Sequence, residues 1–262
     1  MKFLKYILGA GALTGFLFSC RHMNGGDFIN SELTLIHEAD SIMRVLTVED
    51  SLDNTVLRAP SKDFSIRALR SEEFAKLSRL MVATVTHPSQ DGVGIAGPQV
   101  GLNRRVVAVQ RFDKGTIGVD GEMVYPFEVY PNIRIVWASD SLSSGPEGCL
   151  SVPGRRGEVL RSGEIVVEYA DLAAVREDDS IEDIPMIQDT VKGFTAVIFQ
   201  HEVDHLDGVL YIDRLYSGLG YGAGGRGWCA PPAVLDADGE QANFTKPCIS
   251  AYYKKRAFSI CH

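Results

Sequence analysis

Apolar residues recur at helical spacing in two segments of this chain and at strand spacing in several segments between them. In SEEFAKLSRLMVATVTHP (71–88), Phe74, Leu77, Leu80, Met81 and Val85 share one stripe; Ser71 and Glu73 supply start signals and Pro88 a stop, so the spacing predicts a helix. RRVVAVQ (104–110), IRIVWAS (133–139) and GEIVVEYAD (163–171) are rich in β-branched residues and read as strands. A second helix is predicted from about Asp189, where Phe194, Ile198, His201 and His205 line up on one stripe. The order helix, strands, helix predicts an α+β domain rather than alternating βαβ units. Residues 21–42 read as a polar tether, and GPEGCLSVPG (145–154) as a Gly/Pro turn followed by a short extended run. Beyond Ser217 the chain has six glycines within residues 218–227 and no sustained periodicity, so 217–262 reads as an irregular tail.

The second helix carries the first chemical signal. Its histidines continue the inward-facing stripe, and an unpaired buried polar group costs about 1–3 kcal/mol. One metal ion satisfies both imidazoles, and i, i+4 is the spacing at which two helical histidines chelate a single ion. In HEVDH (201–205), Glu202 stands next to the first ligand, where an acid/base group is needed. The pair requires a third ligand, and Cys149 in the 145–154 segment is the candidate, because thiolate binds divalent metals well. A third segment, DGVGIAGPQVG (91–101), places Gln99 among four glycines that let backbone N–H groups approach a substrate.

Charge and the termini add two constraints. The net charge of −8 and the absence of a long basic run exclude a nucleic-acid partner from the expectation. Lys2 and Lys5, an apolar run from Tyr6 to Phe18, then Ser19 and Cys20 have the layout of a secretory signal (1–20). Leu17-Phe18-Ser19-Cys20 resembles a lipobox, so a membrane anchor through lipid on Cys20 and an extracytoplasmic location are expected. Cleavage before Cys20 removes two lysines and no acids, leaving −10. A start codon near Met23 or Met43 would instead give a cytoplasmic protein. Cys229, Cys248 and Cys261 fit no metal knuckle.

The segments GVGIAGPQ, EGCLS (147–151) and HExxH (201–205), in this order, resemble the peptide deformylase family over about Met43 to Leu215. Three departures are Gly97, where the family usually has alanine, the tail, which lacks the charged C-terminal helix of many bacterial members, and the signal, since family members act on nascent chains in the cytosol or in organelles. RVLTVEDSLDNTVLR looks like the family's N-terminal strand and turn. The resemblance implies an α+β catalytic domain (43–216) with antiparallel strands packed around the HExxH helix. It implies Fe²⁺, replaceable by Zn²⁺, Ni²⁺ or Co²⁺, on Cys149, His201 and His205. Glu202 would be the acid/base; the Gln99 amide and the Leu150 backbone N–H would steady the oxyanion. Val93, Gly94 and Gly148 would hold an N-formylmethionyl peptide in extended form, with its methionine against Val93, Val197 and Ile198. A monomer is expected. Two rivals are a zinc peptidase, which shares H-E-x-x-H, and a binding protein of the same fold without turnover; Cys149, Gln99 and the completeness of the five key side chains argue against both.

Overall fold

The computed structural model describes residues 26–215, so the signal, Cys20, the 217–262 tail and its cysteines lie outside the described residues. Four helices come first: α1 (Asn30–Glu38), α2 (Ser51–Leu57), α3 (Ile66–Arg70) and α4 (Glu72–Val85). Strands follow: β1 (Gly94–Ala96), β2 (Val106–Gln110), β3 (Thr116–Ile117), β4 (Met123–Val124), β5 (Phe127–Pro131), β6 (Arg134–Ala138), β7 (Leu142–Cys149), β8 (Val152–Ser162) and β9 (Glu164–Ala170). Helix α5 (Leu172–Glu177), strand β10 (Met186–Lys192) and helix α6 (Gly193–Leu206) close the order. The strands pair antiparallel as β1-β2-β5, β10-β9-β6, β7-β8 and the small hairpin β3-β4. Helix α6 touches both three-stranded sheets and β8, so the expected α+β arrangement around a central HExxH helix is what the chain adopts. Among the described residues no helix is long and apolar enough to cross a membrane.

Two large apolar clusters fill most of the interior, and a small third one (Val152, Val159, Leu210, Tyr211) lies under the β7–β8 hairpin. One large cluster joins α1, α3, α4 and one face of β1 and β2; the other joins α6 to β5, β6, β9 and the opposite face of β2. The alternation along β2 explains this: Val106 and Ala108 point to the first cluster, Val107 and Val109 to the second. Helix α4 begins as its sequence predicts, with the Ser71 hydroxyl accepting from the Phe74 N–H at 3.1 Å. All five residues of its predicted stripe are buried.

Four expectations need correction. First, the supposed tether is folded from Gly26 onward. Helix α1 buries Ile36, and Glu32 pairs with the buried Arg104 (Nε–Oε1 2.7 Å, Nη2–Oε2 2.8 Å). Asp27 adds a pair with Arg67 and accepts a hydrogen bond from the Ser65 hydroxyl. Part of the polar look of this segment comes from two acids that pair with arginines of the body, Glu32 with the buried Arg104 and Asp27 with the half-exposed Arg67. Second, Asp189–Lys192 belong to β10, where Thr190 and Val191 pair with Val166 and Ile165; α6 starts at Gly193, whose φ of +62° turns strand into helix. Phe194 therefore protrudes, 57% exposed, before the helix enters the core. Third, 43–57 holds no strand: an extended stretch leads to α2, capped by the Asp50 carboxylate. Fourth, no turn precedes Cys149. Gly145 and Pro146 lie inside β7, where a strand paired on one side only tolerates proline.

Candidate metal centre and peptide cleft

Three structural elements converge on one point. The β7–β8 hairpin brings Cys149 to the edge of α6, whose His201 and His205 face it one turn apart. A ligand atom from each lies within 4.8 Å of the other two, and Cys149 Sγ is 3.2 Å from His205 Nε2. The donor set suits a divalent ion. His201 Nδ1 donates to Glu147 at 2.8 Å, which fixes the tautomer and leaves Nε2 for a metal. Burial opposes ionisation of the Cys149 thiol, but the adjacent histidines hold its pKa well below the ordinary thiol value and so favour the thiolate form.

Glu202 sits beside this triad, buried, with Oε2 lacking any hydrogen-bond partner among the described residues. Burial raises its carboxyl to about 7, against the lowering influence of the two histidines. The carboxylate lies against Gly94: a Cβ on that glycine would stand 2.5 Å from Glu202 Oε1 and 2.8 Å from Ile198 Cγ2. The glycine-rich segment contains the edge strand β1 and a single 3-10 turn, Gly97–Val100. That turn aims Gln99 inward: its Oε1 accepts from the Ala96 N–H at 2.8 Å, while Nε2 donates to Ser151 Oγ at 3.3 Å and lies 3.5 Å from Cys149 Sγ. Gly97 has a local reason, since a Cβ there would stand 2.6 Å from the Arg104 carbonyl oxygen.

The remaining predicted residues surround the same point. Leu150 occupies the turn directly after Cys149, its side chain against the first apolar cluster. Val93 precedes β1 and accepts from the Gln110 N–H at 2.9 Å. Gly148 is exposed in β7, Ile198 is buried and Val197 half-buried on α6. The extended stretch before α2 ties two of these loops together, with the Leu46 N–H on the Gln99 carbonyl at 2.8 Å and the Val48 N–H on the Ser151 carbonyl at 2.9 Å.

Sequence reasoning passed over a buried ionic chain behind the three donor residues. Arg161 donates to Glu147 (2.7 and 2.9 Å) and to Asp204 (2.6 Å), and Arg214 donates to Asp204 (2.6 and 2.7 Å). Burial pushes the Glu147 carboxyl up, yet Arg161 and His201 outweigh it and hold the group at about 2. Two spacings carried the signal: Glu147 and Cys149 are two apart on one strand and share a face, and Asp204 follows His201 by three on the helix.

Comparison with known proteins decides the family. A family model described as polypeptide deformylase matches residues 42–218. The chain belongs to that family. A peptide deformylase of Leptospira biflexa is 38% identical over 166 residues, covering 63% of this chain and 86% of the relative. Peptide deformylase 2 of a Nostoc species is 41% identical over 139 residues, 53% of this chain and 70% of the relative. The solved class I type b peptide deformylase of Acinetobacter baumannii with Met-Ala-Ser bound is 31% identical, with a TM-score of 0.54 over 66% of this chain and 98% of that one. The Thermotoga maritima peptide deformylase is 30% identical with a TM-score of 0.51, over 67% and 99% of the two chains. This deformylase is thus a metal-dependent hydrolase that removes N-formyl groups from peptides, and neither a zinc peptidase nor a binding protein without turnover is favoured. The matched region starts at residue 42, so α1 and its acidic pairs lie outside what the deformylase family model covers.

Proposed function

We propose that this deformylase acts on N-formylmethionyl peptides with Cys149, His201 and His205 holding Fe²⁺, for which Zn²⁺, Ni²⁺ or Co²⁺ can substitute. When bound, such an ion supplies Lewis acidity and makes a water acidic enough to act near neutral pH. Glu202 takes the attacking water's proton and returns it to the departing amine. The observation that carries this is its buried carboxylate, with one oxygen unpartnered, beside the three donor atoms. A carboxyl raised to about 7 is matched to accepting and returning a proton at neutral pH. As the water's oxygen bonds to the formyl carbon, negative charge moves to the carbonyl oxygen. Gln99 Nε2 and the Leu150 N–H are the proposed donors to it, each worth about 10²–10³ in rate. The C–N bond then breaks, giving formate and a free α-amine. Edge strand β1 at Gly94, with Val93 and with Gly148 across the cleft, would pair with the peptide backbone. The methionine would rest on Val93, Val197 and Ile198. All these residues come from one chain, so a monomer suffices.

Zinc outcompetes ferrous iron for a Cys/His₂ set in raw affinity. The choice of iron rests on the family resemblance. Formate release from formyl-Met-Ala-Ser, with metal content measured on the same sample, tests both. Iron-loaded protein should turn over faster than zinc-loaded protein; no formate from either would refute the assignment.

The order of Lys2, Lys5, the apolar run, Ser19 and Cys20 supports export and lipid anchoring. The folded 26–42 segment argues against a start at Met43, which would strip Glu32 from the buried Arg104. Wild-type protein should fractionate with membranes and Cys20→Ala should not. Full-length wild type in the cytoplasmic fraction would refute anchoring.

A further inference from the structure

The turn that carries Gln99 cannot hold itself in place. It is one 3-10 turn, Gly97–Val100, and such short turns have poor hydrogen-bond geometry. Glycine stands at both of its ends: Gly97 opens it, and Gly101, with φ of +87°, closes it. Whatever keeps the Gln99 amide beside Cys149 must therefore grip the turn from outside.

Helix α1 does so at two points. At the closing end, a Cβ on Gly101 would stand 3.3 Å from Leu35 Cδ1, so Leu35 lies over that glycine. Val100 beside it is buried in the same apolar cluster as Ile36. At the opening end, the turn is seated on the backbone of residues 102–104. The Leu102 N–H donates to the Gly97 carbonyl at 2.9 Å, and a Cβ on Gly97 would stand 2.6 Å from the Arg104 carbonyl oxygen and 2.8 Å from that of Leu102. The Arg104 side chain is held in turn by both oxygens of Glu32 at 2.7 and 2.8 Å, a two-pronged contact that fixes orientation as well as distance. Glu32 and Leu35 are three positions apart, neighbours on the surface of α1. Helix α2 packs on the turn as well, but it lies inside the region matched by the deformylase family model, which begins at residue 42. The grip of α1 comes from outside that region.

We infer that Glu32 and Leu35 are positioning residues for the reaction: α1 clamps both ends of the Gln99 turn and keeps Gln99 Nε2 aimed at the developing oxyanion. The inference rests on the deformylase reading and on Gln99 as an oxyanion donor. It gives the segment ahead of the family domain a part in turnover beyond its part in folding.

Formate release from formyl-Met-Ala-Ser by full-length, metal-loaded protein tests this in two backgrounds, wild type and Gln99→Ala. Displacing a reacting group by about 1 Å costs on the order of 10²-fold, and a slackened turn displaces the amide by less. Leu35→Ala should therefore lower kcat about fivefold, and Leu35→Ala with Glu32→Gln about tenfold. KM should stay within about twofold, because the oxyanion exists only beyond the ground state. In the Gln99→Ala background the same substitutions should cost less than about twofold, since no amide is left to misplace. Loss of folded or metal-bound protein would lower kcat by one factor in both backgrounds, so the difference between backgrounds reports position alone. Leu35→Met, which keeps the space over Gly101 filled, should retain the wild-type rate within about twofold. Should the double variant fail to fold, Leu35→Ala decides by itself, because Leu35 is 43% exposed and its truncation opens no buried cavity. Equal losses in the two backgrounds, or no loss in either, overturn the clamp and leave the activity standing. Full rate in Gln99→Ala overturns the role of Gln99 and the clamp with it, and no formate from wild type overturns the deformylase reading itself.

Discussion

Gly94→Ala should disable this enzyme while leaving it folded and metal-bound. The glycine has no left-handed φ that would bar a side chain, so only space is at issue. The new methyl group would stand 2.5 Å from Glu202 Oε1, against about 3.4 Å for ordinary contact, and Ile198 Cγ2 at 2.8 Å blocks the other side. The carboxylate must yield by roughly 0.9 Å. It can do so cheaply, because Oε2 has no hydrogen-bond partner to hold it. Displacement of a reacting group by about 1 Å costs on the order of 10²-fold in rate. Steady-state formate release should therefore show kcat down about 10²-fold, with metal content unchanged and the melting temperature within a few degrees of wild type. A variant that keeps kcat within threefold would mean that Glu202 is not held by Gly94 in the working enzyme, and that its proposed role does not depend on this placement.

Glu202→Ala should lose about 10²–10⁴-fold in kcat and keep its metal, checked by formate assay and elemental analysis; metal loss would make Glu202 a ligand instead. Cys149→Ser should lose most of its metal on dialysis, since a hydroxyl replaces thiolate poorly, and unchanged stoichiometry would place the third ligand elsewhere. Glu32→Ala removes the carboxylate from the buried Arg104, which keeps the Asp63 and Asp27 carbonyls, and should cost about 1–3 kcal/mol in urea unfolding; a loss under about 0.5 kcal/mol would make this pair dispensable. Arg111, fully buried, engages Asp113 and Asp189 directly. Hydrogen bonding to it holds the Asp113 carboxyl below its usual value. A depressed carboxylate stabilises the fold above the unfolded value near pH 4, and that stabilisation is lost as pH falls through the folded value. Arg111→Met should therefore cost more stability at pH 7 than at pH 3, by urea midpoint; equal costs would mean the carboxylates do not respond to it.

What could be read from sequence follows from which signals are local. The α4 stripe, the β2, β6 and β9 runs and the i, i+4 histidines each declare themselves within a few residues, and each forms where expected. The ionic partners do not. Glu32 and Arg104 are 72 positions apart, and Glu32 reads as surface until the fold buries it. The same blindness hid Arg161, whose partners Glu147 and Asp204 lie on two other elements. Phe194 misled for the converse reason. Periodicity assigns a residue to a stripe, but only the register of β10 and the turn at Gly193 decide where the helix begins to be covered.

Gly26 is tied to the body, its carbonyl accepting from the Ser65 N–H at 2.9 Å, and this sets an upper limit on any leash. If lipid on Cys20 holds the chain, only five residues (21–25) lie between the anchor and that hydrogen bond, an upper limit on reach of about 20 Å over six steps of some 3.5 Å. A free tether to residue 42 would have allowed nearly four times that. A domain of this size has a radius of gyration near 16 Å, so the leash is scarcely longer than the body it holds. Such an enzyme could not sample the surrounding solution. It would patrol a layer one molecule deep, where formylated chains arriving at the same bilayer meet the cleft at a raised effective concentration, and those that never touch the membrane do not.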